Sequence, residues 1–315
     1  MLFEKFGLVN TQELFTDALE QHYAIGAFNF YNMETLNAVL NAAHDCHSPV
    51  ILAVSESALD YMGGDTLMGM ISGKKIKKSD GIVLHLDHGS SYESCVRAIK
   101  LGFSSVMIDA SKLPFRENIK LSKRVANYAH KYNVSVEAEL GVLGGFEDEK
   151  TNSKFNMYTN PDDVEEFIKK TNVDSLAIAI GTSHGAYKRK SQNEKLRFDI
   201  LSEIAERIPT LPLVLHGASS IPQKFIREIN SYGGDIKNAL GISPKQLQQA
   251  ISLNVCKINV DSDNRLAFTG AIRKSIFKKP SEFNPRKYLG NAQQAVYENC
   301  VNEIKNIMGS ENKLK

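Results

Sequence analysis

Residues able to bind a metal or transfer a proton stand at the end of one apolar segment, residues 81–89. The segment reads GIVLHLDHG, and its apolar residues predict a buried strand that runs into Asp87 and His88 and stops at a glycine. Alternate side chains of a strand share a face, so His85 and Asp87 point the same way, and His88 joins Asp87 only where the chain turns. A buried carboxylate needs a partner or a metal. Taken alone, the segment is also compatible with a structural pair that caps the next helix.

Two further histidines share this context. His184 and His216 each follow a predicted strand directly, and each is followed by glycine, as His88 is. Three imidazoles at three different strand ends suit a zinc-type ion with an open fourth position, which is the arrangement of a catalytic site. One such histidine alone is more often a hydrogen-bonded core residue. The repeated context favours a metal site.

Carboxylates are predicted beside these histidines. Glu137 and Glu139 share strand parity and would both face the same interior, with Asp109 in the same layer. Carboxylates gathered in one place need cations, so Asp109 and Glu139 are predicted to form a second metal site or to orient the histidines. Salt bridges to interior lysines are the alternative.

Small residues and backbone amides follow the later strands, in the position where (β/α)8 barrels bind phosphate. Lys188, Arg265 and Arg286 could add positive charge, although Arg286 lies in a polar segment that is solvent-facing by default. The candidate phosphate-binding residues are Gly185, Gly217, Ala218, Ser219, Asn259, Val260, Asp261 and Ser262.

The elements that would position these residues alternate along the chain. The predicted strands cover residues 25–30, 50–54, 81–89, 104–108, 134–139, 175–180, 213–215 and 255–260. Helical segments are predicted at 11–22, 33–44, 92–101, 117–132, 198–207, 243–253 and 291–308, with others that begin near 65 and 161. They separate the strands, and polar residues stand at nearly every strand end, which predicts a single α/β TIM barrel, (β/α)8, over residues 1–315. An N-terminal helix, an active-site loop at about 141–160 and a C-terminal helical extension at about 281–315 complete the predicted domain. An open doubly wound sheet is the alternative.

Composition narrows the class of protein. The 315 residues are 42% hydrophobic, and 38 basic against 36 acidic residues give a net charge of +2, which provides no general attraction to nucleic acid. The four cysteines are scattered, as in a reduced protein. The amino terminus lacks the pattern of a signal peptide, and no apolar run is long enough to span a bilayer. We therefore expect a cytoplasmic protein with no membrane partner.

Six motifs, in this order and spacing, resemble one known family. They are HLDHG, SVMIDAS, VEAELG, IGTSHGAYK, LVLHGASSIP and CKINVDSDNR. They resemble the class II, zinc-dependent fructose-1,6-bisphosphate aldolases, in the subgroup that includes the tagatose-bisphosphate aldolases, and the likeness runs from about Ile25 to Gly309. It implies reversible cleavage of fructose 1,6-bisphosphate, as in glycolysis and gluconeogenesis, to dihydroxyacetone phosphate and glyceraldehyde 3-phosphate.

The resemblance also implies a metal site and two proton-transfer residues. His88, His184 and His216 would hold the catalytic zinc, and a second divalent cation would bind at the pair Asp109 and Glu139. A monovalent ion, Na⁺ or K⁺, is a further candidate cofactor. Asp87 matches the family's proton donor, and Glu147, in a mobile loop, matches the residue that removes a proton from the dihydroxyacetone phosphate carbon.

The same resemblance assigns the substrate contacts. Gly185, the segment 217–219 and the segment 259–262 match the dihydroxyacetone-phosphate site, and Ser55 and Arg265 match groups near the other phosphate. Arg286 matches an arginine that some relatives lend to a neighbouring subunit, which implies a homodimer or homotetramer.

Several alternatives remain open. Asp261 and Ser262, where the tagatose enzymes tend to carry Ala-Thr, and the insertion at 233–243 favour fructose over tagatose bisphosphate as substrate. Lys257 shares parity with Asn259 and could serve a metal-free Schiff-base aldolase. A metal-dependent phosphoesterase, or a sugar-phosphate binding protein without turnover, would use the same barrel.

Overall fold

The computed structural model describes residues 1–142, 144–145, 158–185 and 195–314, with His184 described by its backbone alone. Eight parallel strands close into a barrel in the order β1-β10-β9-β7-β5-β4-β3-β2. The strands are β1 (Ile25–Asn29), β2 (Val50–Ser55), β3 (Ile82–Gly89), β4 (Ser105–Ile108), β5 (Ser135–Leu140), β7 (Ser175–Ile178), β9 (Leu213–Leu215) and β10 (Val255–Val260). The TIM barrel prediction is therefore confirmed, and the open sheet is wrong.

Two short strands stand apart from the barrel. β6 (Gly144–Gly145) and β8 (Ser183–His184) pair in parallel, with Gly145 opposite His184. This pairing joins the backbone after β5 to the backbone after β7, at the carboxyl ends of both strands.

Helices surround the barrel. They are α1 (Gln12–Gln21), α2 (Met33–Cys46), α3 (Glu56–Met62), α4 (Gly64–Gly73), α5 (Tyr92–Leu101), α6 (Phe115–Ala129), α7 (Pro161–Thr171), α8 (Phe198–Arg207), α9 (Gln223–Ser231), α10 (Pro244–Ile251), α11 (Ser262–Lys278) and α12 (Pro285–Glu303). Short 3₁₀ turns lie at 3–6, 78–80 and 130–132, and a π-helical turn, 304–308, ends α12. None of the helices in the described ranges is long and apolar enough to cross a membrane.

The barrel has apolar packing on both sides of its strands. The larger core lies between the strands and the surrounding helices. A smaller core closes the amino-terminal end of the barrel, where Phe15 and Ala18 of α1 pack with Ile25, Ile51 and Val83. The predicted N-terminal helix is thus confirmed. It covers the amino-terminal end of the barrel, so a site can form only at the carboxyl ends of the strands.

Three helices were absent from the sequence-based prediction: α3, α9 and α11. α11 carries no single apolar face, because it buries residues against both α9 and α12, including the polar Asp263 and Asn264. A helix covered on two sides loses the 3.6-residue pattern on which prediction from sequence depends.

Candidate active site and metal centre

The conformation of His88 lets two adjacent side chains of β3 face the same site. His88 has a φ of 50°, in the left-handed region, and the register between β3 and β4 shifts between Leu86 and Gly89. Successive residues of a regular strand point to opposite faces. The left-handed turn removes that alternation, so Asp87 and His88 both contribute to one cluster with His216.

The glycines that follow these histidines have steric causes. A Cβ at Gly89 would lie 2.5 Å from the carbonyl oxygen of Met107. Gly217 has a φ of 60°, and a Cβ there would lie 2.6 Å from the carbonyl carbon of Ser183. Both histidines therefore stand where the backbone turns tightly against a neighbouring strand, which only glycine permits at the next position.

Asp109 orients His88. Its Oδ2 lies 3.0 Å from Nδ1 of His88, and its Oδ1 accepts a hydrogen bond from the hydroxyl of Ser111 at 2.7 Å. Burial lowers the pKa of His88, but the hydrogen bond that His88 donates to Asp109 and the charges of Asp87 and Glu139 outweigh it and raise that pKa to about 10. Because Nδ1 contacts the carboxylate, Nε2 is the nitrogen that would ligate a metal.

Glu137 orients His216 in the same way. Its Oε1 lies 2.6 Å from Nε2 of His216, so Nδ1 is the ligating nitrogen of this ring. The ammonium of Lys257 donates to the other oxygen of Glu137 at 2.8 Å. Although burial raises the pKa of Glu137, the charge of Lys257 and the contact with His216 hold it well below its usual range. Glu137 is therefore a buried carboxylate shared by a cation and a histidine.

His85 completes this network inside the barrel. Its Nε2 lies 3.2 Å from Nζ of Lys257, and its Nδ1 lies 2.8 Å from the hydroxyl of Ser105. Burial and the nearby ammonium lower the pKa of His85 to about 3, so the ring is neutral and accepts from Lys257. Lys257 itself is fully buried and ion-paired, which argues against a Schiff-base function.

Asp87 is held by two amides. Asn29 donates to its Oδ2 at 2.8 Å, and Asn259 donates to its Oδ1 at 3.0 Å. Burial raises the pKa of Asp87, but the charges of His88, His216 and Lys257 outweigh it and hold that pKa well below its usual range. The side chain is therefore an ionised carboxylate with both oxygens held in a fixed orientation.

The donor atoms form two clusters that could hold a metal ion. Asp87, His88 and His216 make one, and His88, Asp109 and Glu139 make the other, with ligand atoms within 4.8 Å of one another in each. Burial and the charge of Asp109 raise the pKa of Glu139 well above its usual value. Its buried Oε2 has no hydrogen-bond partner among the described residues. A buried, unsatisfied carboxyl oxygen beside a histidine and a second carboxylate fits a divalent cation.

The predicted phosphate segments lie around the same cluster. Ala218 and Ser219 are buried two and three residues after His216, and Asn259 contacts Asp87. Among the described residues, the N–H of Ala218 and that of Ser219 have no acceptor. Buried backbone donors almost always have a partner, so these amides suit a bound anion.

The remaining substrate candidates lie in the next turns. Gly185 follows β8 with a φ of 84°, and Val260 is the buried last residue of β10. Asp261 precedes α11, which begins at Ser262, and accepts a hydrogen bond from Arg265 at 2.8 Å.

Two other predicted site residues, Ser55 and Arg286, lie at the amino ends of helices. Ser55 ends β2 opposite Asp87 and caps α3 by accepting from the N–H of Ala58. Arg286 is exposed in the first turn of α12, where it contacts Asn284. Glu147, Lys188 and the side chain of His184 lie outside the described part of the chain.

The site in the structure also includes Asn29, His85, Glu137 and Lys257, to which sequence reasoning assigned no function in a metal site. A signal existed for three of them, because His85 shares strand parity with Asp87, Glu137 with Glu139, and Lys257 with Asn259. Parity indicates that these side chains face the interior, but not which of them touch.

A closed parallel barrel with histidines and carboxylates gathered at the carboxyl ends of its strands is a (β/α)8 barrel of enzymatic type with a candidate metal site. The family model "Fructose-bisphosphate aldolase class-II" matches residues 9–313. The chain therefore belongs to the class-II fructose-bisphosphate aldolase family, which is a zinc-dependent lyase family in general, and the resemblance inferred from the motifs is confirmed.

Individual relatives agree with this assignment. The chain is 47% identical over 326 residues to a fructose-bisphosphate aldolase of Treponema pallidum (strain Nichols), covering 98% of each chain. It is 47% identical over 292 residues to the fructose-bisphosphate aldolase of Thermus caldophilus, covering 92% of this chain and 95% of the relative. Among solved structures, the YdjI aldolase of Escherichia coli K12 is similar with a TM-score of 0.78 and 30% identity, covering 98% of this chain and 100% of the other.

Proposed function

We propose that this chain reversibly cleaves fructose 1,6-bisphosphate to dihydroxyacetone phosphate and glyceraldehyde 3-phosphate, with zinc held by His88, His184 and His216. The observation that carries the proposal is the cluster of Asp87, His88 and His216, whose ligand atoms lie within 4.8 Å, in a chain of this family. When bound, the divalent ion would polarise the ketose carbonyl and stabilise the negative charge that develops on its oxygen.

Asp87 is the proposed proton acceptor for the C4 hydroxyl during cleavage. Its low pKa keeps it ionised, and the amides of Asn29 and Asn259 fix both oxygens. In the reverse direction the same group returns the proton, as microscopic reversibility requires. Glu147 is proposed, from the family resemblance, to exchange the proton on the dihydroxyacetone phosphate carbon.

The phosphate groups are proposed to bind at two places. The buried amides of Ala218 and Ser219, together with Gly185, Gly217 and the segment 259–262, would take the phosphate of the dihydroxyacetone half. Ser55, Lys188 and Arg265 are proposed to lie near the other phosphate, and Arg286 to reach the site of a neighbouring subunit.

Asp109 and Glu139 are proposed to support the metal in one of two ways. They can orient His88, as the 3.0 Å contact of Asp109 supports, or they can bind a second divalent cation together with it. A monovalent ion, Na⁺ or K⁺, is proposed as a further cofactor by resemblance alone.

Asp109→Asn should raise the dissociation constant for zinc about 10- to 100-fold, because the neutral amide orients His88 less well and lowers its basicity. Competition against a chromophoric chelator measures the change. Ser111→Ala is the matched control, since it removes a hydrogen bond to Asp109 but leaves the contact with His88. Equal zinc affinity in Asp109→Asn and the parent protein would contradict an orienting function.

A homodimer or homotetramer is proposed from three exposed apolar side chains of one C-terminal segment, here called the patch. Ile276, Phe277 and Phe283 are 46%, 63% and 90% exposed, close in sequence to Arg286. Large apolar side chains grouped on a surface are typical of an interface. The patch and Arg286 belong to one segment, so association could also complete the neighbouring site.

The double variant Phe277→Asp/Phe283→Asp should be monomeric, because two buried charges at an interface oppose association. Light scattering after size-exclusion chromatography measures the mass. Tyr61→Asp is the control, since Tyr61 is 80% exposed on α3 and lies outside the patch. A parent protein that is already monomeric, or a double variant that keeps its assembly, would show that the patch has another function.

We also propose that barrel and C-terminal extension form one catalytic domain that works in the cytoplasm. α12 packs against both α2 and α11, which supports a single folding unit.

A coupled assay tests the proposed reaction. The zinc-loaded protein should release triose phosphates from fructose 1,6-bisphosphate faster than from tagatose 1,6-bisphosphate, and should stop after chelation. Release of inorganic phosphate would instead indicate a phosphoesterase. Borohydride trapping of substrate on Lys257, with activity that survives EDTA, would indicate a Schiff-base aldolase.

A further inference from the structure

The loop that follows β9, residues 217–221, is held by a buried carboxylate that the proposed mechanism does not use. Asp263, in the first turn of α11, is fully buried. Its Oδ2 accepts from the N–H of Ser220 at 2.8 Å and from the hydroxyl of Ser220 at 3.1 Å. Its Oδ1 accepts from the N–H of Ile221 at 2.8 Å. Three donors of one loop therefore converge on one side chain.

Asp263 holds Ile221 in a backbone conformation that is unfavourable by itself. Ile221 has a φ of 49°, in the left-handed region that β-branched residues avoid. Its side chain is buried, and its carbonyl accepts from the amide of Gln223 at 3.2 Å. Backbone strain of this kind persists only where surrounding contacts impose it, and it concentrates at ligand sites.

The insertion at 233–243 fixes the other side of the loop. The N–H of Ile242 donates to the carbonyl of Ser219 at 3.1 Å. A Cβ at Gly241 would lie 2.4 Å from that same carbonyl oxygen, so only glycine permits the approach. The loop is therefore held from two directions, directly beside the buried amides of Ala218 and Ser219.

A second buried carboxyl interacts electrostatically with the first. Glu303 of α12 is buried, and its burial together with the charge of Asp263 raises the pKa of Glu303 well above its ordinary value. Asp263 accepts three hydrogen bonds from the loop, an environment that favours an ionised carboxylate.

We propose that Asp263 is a positioning residue for anion binding, which holds the loop 217–221 so that the amides of Ala218 and Ser219 are available to the phosphate of the substrate. The inference rests on the proposed function, because it takes this loop as a phosphate site. Asp263 also follows the segment 259–262 directly, so one helix start fixes both proposed parts of the phosphate site relative to each other.

The test compares Asp263→Asn with the parent protein, both full-length and zinc-loaded. Asparagine keeps one acceptor oxygen, but its NH₂ group replaces the other and would face a backbone N–H donor, which then has no acceptor. We expect the dissociation constant for inorganic phosphate, measured by calorimetry, to rise about tenfold. The KM for fructose 1,6-bisphosphate should rise by a similar factor, with a much smaller change in kcat and an unchanged zinc content.

Asp235→Asn is the matched control. Asp235 lies in the neighbouring insertion, where its exposed side chain pairs with Lys237 at 3.0 Å, and its replacement should leave phosphate affinity unchanged. Ser220→Ala tests the same positioning function if Asp263→Asn does not fold. It removes the hydroxyl donor alone, and should raise the same dissociation constant about two- to threefold.

The possible results separate the inference from the function. A folded Asp263→Asn variant with parental phosphate affinity overturns the inference alone, as does one that loses zinc together with phosphate, because the effect is then general. A zinc-loaded parent protein that neither cleaves the sugar bisphosphate nor binds phosphate overturns the proposed function itself.

Discussion

His216→Ala is expected to lower kcat/KM for fructose 1,6-bisphosphate at least about a thousandfold, because a bound metal contributes several kcal/mol to the stabilisation of charge on the substrate oxygen. The substitution removes one ligand of the cluster and also leaves Glu137 without its histidine partner. Chelation of the parent protein should give a similar loss. Added zinc should restore the chelated parent protein but not the variant.

Zinc content separates loss of metal from loss of folding. The variant should hold well under one zinc per chain, by inductively coupled plasma mass spectrometry, at a protein concentration where the parent holds one. His130→Ala is the matched control, because His130 is half-buried, pairs with Asp174 at 2.9 Å and belongs to the turn after α6. A His216→Ala variant that keeps both zinc and activity would contradict the metal assignment.

Asp87→Asn is expected to lower kcat about a hundredfold or more, which is the usual contribution of a positioned proton-transfer group. The substitution keeps the shape of the side chain but removes the group that accepts the C4 hydroxyl proton. Single-turnover measurement of triose phosphate release separates this step from product release.

Asp87 is part of one of the metal clusters, so the zinc content of the variant must be measured as well. Unchanged zinc with a lower kcat supports proton transfer as the function of Asp87, whereas lost zinc would make it a ligand instead. Asp60→Asn is the control, since Asp60 pairs with Arg97 on the surface. Unchanged cleavage in Asp87→Asn would favour a binding protein that uses the barrel without turnover.

The barrel was predictable because its strands are short, apolar and separated by amphipathic helices. Tyr92–Leu101, Phe198–Arg207 and Val255–Val260 were predicted with the bounds that the structure has. In each case local pattern and tertiary environment agree, as in α5, which buries one face and begins at a capping serine, Ser91. α11 was missed because other helices cover it on two sides, so its sequence has no single apolar face.

The site was predictable to the extent that its residues stand at strand ends. His88, Asp109 and His216 follow this rule, and the structure brings them together with Asp87 and Glu139. The left-handed turn at His88 could not be read from the sequence, because non-glycine residues adopt it only under tertiary constraint.

The interior network was harder to predict. The charge of Lys257 is compensated by Glu137, which is 120 residues away along the chain. No local sequence pattern encodes a contact at that separation.

The most direct test of the metal site is an anomalous difference map from crystals of the zinc-loaded protein, recorded at the zinc absorption edge. The structure predicts one strong peak about 2.0–2.1 Å from Nε2 of His88 and from Nδ1 of His216, the usual zinc–histidine distance. A map with no peak between these two nitrogens, or with zinc bound only elsewhere on the protein, would contradict the assignment.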